Sequence, residues 1–289
     1  MGLVNLKKLS ASYIWERIFV ERLTEPLHLN LLSLGVAAFG GIRSKIAFDL
    51  ILRQYHAYSI LSCADLAREN SIEEVTLVEF GVAAGTGLLN ICKLADRITR
   101  ETGVRFSIYG FDTGQGMPPP ESYRDHPEIY HQGDFPMNHE SLRESLPDNA
   151  KLIIGQIKET VGPFLKSIST NAPIGFISID VDFYSSTRDA LSILQGDANQ
   201  YLPRIQMYLD DLEFPSHNSW CGERLAINEF NYQNSFRKIE QHAFLKSQRI
   251  FRNARWIDHM FTVHMLDHPS RASATKKRSP TILTNPYLK

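Results

Sequence analysis

The stretch that most constrains this chain is Val75 to Asn90, VTLVEFGVAAGTGLLN. Val75 to Val78 has the length and apolar, β-branched character of a strand buried on both faces, as in a parallel sheet covered by helices. Glu79 closes that run, Gly81, Gly85 and Gly87 follow, and Leu88 to Ile98 repeats apolar residues at helical spacing. Strand, glycine turn and helix in this order let backbone approach a ligand at a helix N-terminus. Spacing decides which ligand is disfavoured. The dinucleotide fingerprint needs G-x-G-x-x-G, but two residues after Gly81 stands Ala83, so the glycines read G-x-x-x-G-x-G with an acid two residues ahead.

Downstream, strands and helices alternate as a doubly wound α/β sheet requires. Arg105 to Phe111 reads as a second strand delivering Asp112, and Lys151 to Ile154 as a third ended by Gly155 and Gln156. A fourth, Phe176 to Ile179, delivers Asp180 and Asp182, and a fifth, Ile205 to Leu209, ends in Asp210 and Asp211. Open α/β sheets bind ligands at the C-terminal ends of their strands. Neighbouring strands lie ~5 Å apart, so these acids converge on one volume, where they repel unless a cation or hydrogen-bond donors accompany them. Helix capping accounts for one or two of the four aspartates, not for all. Hard oxygen donors of this kind suit Mg²⁺ or Ca²⁺ rather than zinc. Asp112 stands where a carboxylate can accept from both hydroxyls of a ribose; a turn-capping role is its plain alternative.

The glycine turn with its preceding acid resembles the first motif of the class I S-adenosylmethionine-dependent methyltransferases. Gly110 to Pro118, G-F-D-T-G-Q-G-M-P, and Asp180 to Thr187, D-V-D-F-Y-S-S-T, resemble more specifically the macrocin-type sugar O-methyltransferases, as do Gly133–Phe135 and the segment Cys221–Phe230. The resemblance implies a Rossmann-like α/β fold with a mostly parallel seven-stranded sheet, helices on both faces and an N-terminal helical lid. Residues 1–70 would form the lid region, 71–268 the methyltransferase domain and 269–289 a flexible basic tail. It also implies S-adenosylmethionine as cofactor, with Glu79 beside its methionine part and Gly81, Ala83, Gly85 and Gly87 against its ribose and amino-acid moiety. Asp112 would take the ribose hydroxyls; by likeness to the related catechol-type enzymes Gln156 would take the adenine edge, with a plain helix-cap role open beside it, and Ile157 the adenine ring. Asp180 would be a cofactor-binding and catalytic residue. Mg²⁺ would be held by Asp180, Asp210 and Asp211, with Asp182 as a further ligand or its neighbour. The implied reaction is methyl transfer to a hydroxyl of a small molecule, sugar or glycan-like acceptor. His217, in the loop beyond Asp211, is the candidate general base. The resemblance departs from the family pattern over residues 119–132 and in the C-terminal third.

The formal net charge of -1 disfavours a partner with a phosphate backbone, and no N-P-P-Y-like tetrad follows the fourth strand, so nucleic acid is not an expected partner. Cys63, Cys92 and Cys221 are too scattered for a disulfide framework or a zinc site. Leu29–Ile42, the most apolar early stretch, is too short to span a bilayer. Nothing after Lys7 and Lys8 reads as an apolar signal core, and a cytoplasmic enzyme is expected. The oligomeric state is open, a homo-oligomer included.

Before the first strand, Ile14, Ile18 and Leu23 and then Ile46–Ala67 suggest helices separated by Phe39–Gly41. Arg53–Tyr58, RQYHAY, is read with its tyrosines at a helix–sheet contact and Arg53 and His56 facing water; the competing reading folds Arg53 or a tyrosine over the cofactor mouth. Residues 119–137 read as a functional loop or lid. Trp256–Leu266 is expected to hold the last strands, with His259 and His264 structural. Two rival classes stay in view, an NAD(P)-dependent oxidoreductase and a non-catalytic Rossmann-like binding protein.

Overall fold

A computed structural model describes residues 12–212, 218–273 and 282–284. The N-terminal part is helical: α1 (Ser12–Glu16) continues into a π-helical turn, and α2 (Leu27–Phe39) and α3 (Ile42–Ala47) meet at Gly40 and Gly41. The helix expected over Ile46–Ala67 is broken, because α3 stops at Ala47 and α4 (Gln54–Glu69) starts afresh. Asp49 and Arg53 between them adopt left-handed backbone, φ 50° and 51°. Buried arginines account for the break. Arg17 donates to the carbonyls of Asp49 and Ile51, Arg22 to that of Phe48, and Arg249 to the Asp49 carboxylate at 2.6 Å. A continuous helix would have used those carbonyls internally.

From there the chain runs β1 (Glu74–Phe80), α5 (Thr86–Thr102), β2 (Arg105–Asp112), α6 (His139–Ser145), β3 (Ala150–Ile154), α7 (Ile157–Ser167), β4 (Ile174–Ile179), α8 (Tyr184–Leu191) and β5 (Tyr201–Leu209). It closes with α9 (Gly222–Gln233), β6 (Arg237–Gln241), α10 (Leu245–Gln248), β7 (Met260–Met265) and α11 (Pro269–Ser273). The seven strands lie in the order β3-β2-β1-β4-β5-β7-β6, with β1 to β5 parallel and β7 antiparallel to both its neighbours. This is the Rossmann-like α/β fold with a mostly parallel seven-stranded sheet that the sequence led us to expect. The strand order reverses between β1 and β4, and such a switch point opens a ligand crevice.

Trp256–Leu266 supplies one strand rather than the last two, because Arg255–His259 is a 3₁₀ turn. The other strand, β6, was not legible in the sequence. Within RKIEQ only Ile239 is buried, and an edge strand covered on so little of one face shows no alternation.

Alternation along the strands decides what reaches the crevice. Val75 and Leu77 pack with α4 and α5, whereas Val78 and Phe80 pack with residues of α7, α8 and α9. Glu79 continues the Val75–Leu77 face. Phe176 of β4 and Tyr208 of β5 share that face, so Asp180, four residues beyond Phe176, and Asp210, two beyond Tyr208, emerge on the same side as Glu79. Among the described residues no helix is long and apolar enough to cross a membrane.

Candidate active site

Two glycines let the crevice close up. Gly81 has φ 80°, and a Cβ there would lie 1.7 Å from the Asp180 carbonyl oxygen; no side chain is compatible with the tips of β1 and β4 this close. At Gly87 a Cβ would lie 2.0 Å from Glu79 Oε1, so the bare first turn of α5 leaves room for that carboxyl. Gly85 acts elsewhere: its added Cβ would strike Leu142 of α6, and the residue does not border the cavity. Asp112 fixes the turn from the neighbouring strand, its Oδ2 accepting from Val82 N and Ala83 N at 2.9 Å and its Oδ1 from Gly114 N at 2.7 Å. The plain turn-holding role is therefore real, and a ribose would have to share these oxygens.

The result is a cavity of about 430 Å³ at the switch point. Glu79, Gly81, Ala83, Gly87 and Asp112 form one wall, Gln156 and Ile157 an end, and Asp180, Asp182, Asp210 and Asp211 the other wall. Gln156 occupies the N-cap of α7 without a side-chain capping bond, leaving its amide available to the cavity. His217 lies outside the described residues.

The aspartates are not helix caps. The N-cap of α8 is Phe183 and that of α9 is Cys221. Ser185 N of α8 donates instead to Asp125 Oδ1 at 2.7 Å. Asp211 accepts from Tyr130 OH at 3.3 Å and from Asp182 N at 3.2 Å, and Asp210 accepts from Tyr208 OH at 2.7 Å. Among the described residues, no group of three or more His, Cys, Asp or Glu is arranged to hold a metal ion. The donor chemistry nevertheless suits a hard cation. Burial, then Asp210 and Asp182, push Asp180 up to about 7; burial, then Asp182 and Asp180, push Asp211 up to about 9. Burial chiefly raises Asp182 as well. Glu79, nine-tenths hidden, is raised by burial and then by Asp180, and its Oε2 has no hydrogen-bond partner.

Several site residues were not assigned from sequence. Tyr130 comes from an aperiodic loop with no local signal. Glu223 of α9 is buried and accepts from Asp211 N at 3.1 Å. His56, expected to face water, is fully buried: its Nε2 lies 3.5 Å from Ser178 Oγ and its Nδ1 3.3 Å from Asn90 Nδ2, and burial lowers its pKa. Arg53 borders the cavity. The tyrosine reading holds in part, because Tyr55 stacks on Tyr208 across the α4–β5 contact. His259, buried with Nδ1 2.7 Å from the Leu209 carbonyl oxygen, has a structural place.

No family model matches the chain, and a search of curated proteins returns no match. Among solved structures it is similar to CalS11, a calicheamicin methyltransferase, with 19% identity over 80% of this chain and 86% of that one and a TM-score of 0.46. It is also similar to an O-methyltransferase from Bacillus cereus in complex with SAH, at 9% identity, 78% and 87% coverage and TM-score 0.39. A third is MycE of the mycinamycin biosynthetic pathway, in complex with Mg and SAH, at 12% identity, 71% and 48% coverage and TM-score 0.35. Likenesses this distant assign no activity, and the fold assignment rests on the strand order itself.

Proposed function

We propose that this protein is an S-adenosylmethionine-dependent O-methyltransferase, assisted by Mg²⁺, acting on a hydroxyl of a small-molecule, sugar or glycan-like acceptor. The observation that carries the reading is a single cavity bordered at once by an acid-headed glycine turn and by four aspartates. Glu79, Gly81, Ala83 and Gly87 would cradle the methionine and ribose parts, with Gly85 shaping the turn from behind. Asp112 would reach the ribose, Gln156 and Ile157 the adenine. A sulfonium donor carries its own electrophile, so the protein's task is to hold an acceptor oxygen in line at near-attack distance.

Asp180, Asp182, Asp210 and Asp211 would hold the Mg²⁺, whose contribution when bound is to lower the pKa of an acceptor hydroxyl. The acids themselves complement the positive charge of the donor, and His217 is the base to test first. Met117, Tyr130 and Phe135 of the 119–137 loop and its flank border the same cavity and would select the acceptor, with residues 1–70 as the lid region. Asp125 and Tyr130 pin this loop to α8 and to Asp211, so it approaches the site already placed. The protein is read as cytoplasmic.

Calorimetric titration with S-adenosylmethionine, S-adenosylhomocysteine and NAD, with and without Mg²⁺, tests the reading. Binding of the first two and not of NAD is expected. Binding of NAD alone would establish the oxidoreductase, and methyl-transfer assays on deoxysugar, glycan and catechol-like acceptors would separate a transferase from a silent binding protein.

A further inference from the structure

Among the described residues bordering the cavity, Arg53 is the only Lys, Arg or His, set among Glu79, Asp112, Asp180, Asp182, Asp210 and Asp211. S-adenosylmethionine carries two positive groups, sulfonium and ammonium, and one negative group, the carboxylate. Acidic walls suit the first two. Among the described lining residues, Arg53 is the cationic side chain with which the carboxylate could pair.

Arg53 is held ready for such a partner. It is half-buried at the N-cap of α4 with left-handed backbone, φ 51°. Among the described residues its side chain hydrogen-bonds through Nη1 to Tyr55 OH at 2.8 Å, and a guanidinium has further N–H donors arranged as a fork for carboxylates. Tyr55 is in turn fixed, its ring stacked on Tyr208 with centroids 3.8 Å apart and planes 7° apart, and Tyr208 OH donates to Asp210. His56, the next residue along, ties the same helix turn to β4 through Ser178. Glu79, within electrostatic reach of Arg53, has its buried Oε2 unpartnered. One cation and one acid thus border the same cavity, complementary to an amino-acid zwitterion.

We infer that Arg53 anchors the carboxylate of the cofactor's amino-acid moiety while Glu79 receives its ammonium. The inference rests on the proposed cofactor. A pocket built this way discriminates against a cofactor lacking the carboxylate, and it holds the sulfonium at a fixed distance from the aspartate wall.

Calorimetry of the full chain with S-adenosylmethionine and with decarboxylated S-adenosylmethionine tests it. The wild-type protein should prefer the carboxylated ligand at least tenfold. Arg53→Met should weaken S-adenosylmethionine about ten- to a hundredfold and leave the decarboxylated ligand within about twofold, with Arg53→Lys between, since lysine keeps the charge without the fork. Equal loss of both ligands, unchanged affinity for S-adenosylmethionine, or no wild-type preference overturns the role of Arg53 while the cofactor reading stands. A wild-type protein binding neither ligand overturns both. The wild-type comparison needs no variant, so it decides even where Arg53→Met fails to fold.

Discussion

The glycine-turn wall and the aspartate wall meet where Gly81 touches the Asp180 carbonyl, yet they are finished to different degrees. On the turn side, backbone donors hold the loop in place: Val82 N, Ala83 N and Gly114 N all go to Asp112, and Gly81 N goes to the Phe111 carbonyl. On the aspartate side, hydrogen bonds from Tyr130, Tyr208 and the Asp182 amide share the load, but the carboxylates still raise one another. Shape is complete on one wall, and charge is left over on the other. A wall of the first kind fails when its geometry is disturbed; one of the second kind is stabilised by losing a charge and loses its use at the same time.

The largest effect should come from Gly81→Ala, which sets a methyl against backbone and holds a non-glycine residue at φ 80°. A loss of about 3 kcal/mol or more is expected, read by urea denaturation; a loss under ~1 kcal/mol would mean the two strand tips are free to part. Asp180→Asn should have opposite effects on the two readouts. Removing one of several mutually repelling buried charges should stabilise the metal-free protein at pH 8 by about 1–2 kcal/mol, while methyl transfer falls ~100-fold or more. Loss of stability instead would show that the wall is balanced as it stands.

The third test needs no mutation. Burial and mutual repulsion push Asp180 up to about 7 and Asp211 up to about 9 in the folded protein, against about 3.9 in an unfolded chain. Between about pH 4 and 9 the folded form therefore keeps protons that the unfolded form has given up, and stability falls as pH rises through that window. Thermal unfolding of the metal-free protein should show this fall, at roughly 2–4 °C per kcal/mol, and Mg²⁺ should shrink it at the alkaline end. A flat profile would remove the contrast between the walls. The smallest effect belongs to Gln156→Ala. Because its side chain makes no capping bond, stability should move by less than ~0.5 kcal/mol, while affinity for S-adenosylhomocysteine drops about three- to tenfold through one lost hydrogen bond.

What could be read from the residues follows the same division. Val75–Gly87 and the acid pairs at the ends of β4 and β5 are local patterns, and sequence alone gave the turn, the strand tips and the doubly wound sheet. Contacts between segments far apart in the chain could not be read. Tyr130 reaches Asp211 across 81 positions, His56 reaches Ser178 across 122, and Arg249 reaches Asp49 across 200. The break before α4 was missed for that reason, since only distant arginines make it favourable. Gly85 was grouped with Gly81 and Gly87 on spacing, but spacing does not say which face of a turn a Cβ would enter. Edge strand β6 escaped because burial of Ile239 alone leaves no period to count.

The antiparallel insertion of β7 between β5 and β6 sets an order of assembly. Strand β6 precedes β7 in the chain by about twenty positions, yet its ladder partner among the described strands is β7. During synthesis β6 would have nothing to pair with until Met260–Met265 has emerged and docked on β5. The five parallel strands around the crevice, β1 to β5, carry no such debt to later sequence. Folding of a nascent chain should therefore proceed with the crevice formed first and the far edge of the sheet left open until nearly the end.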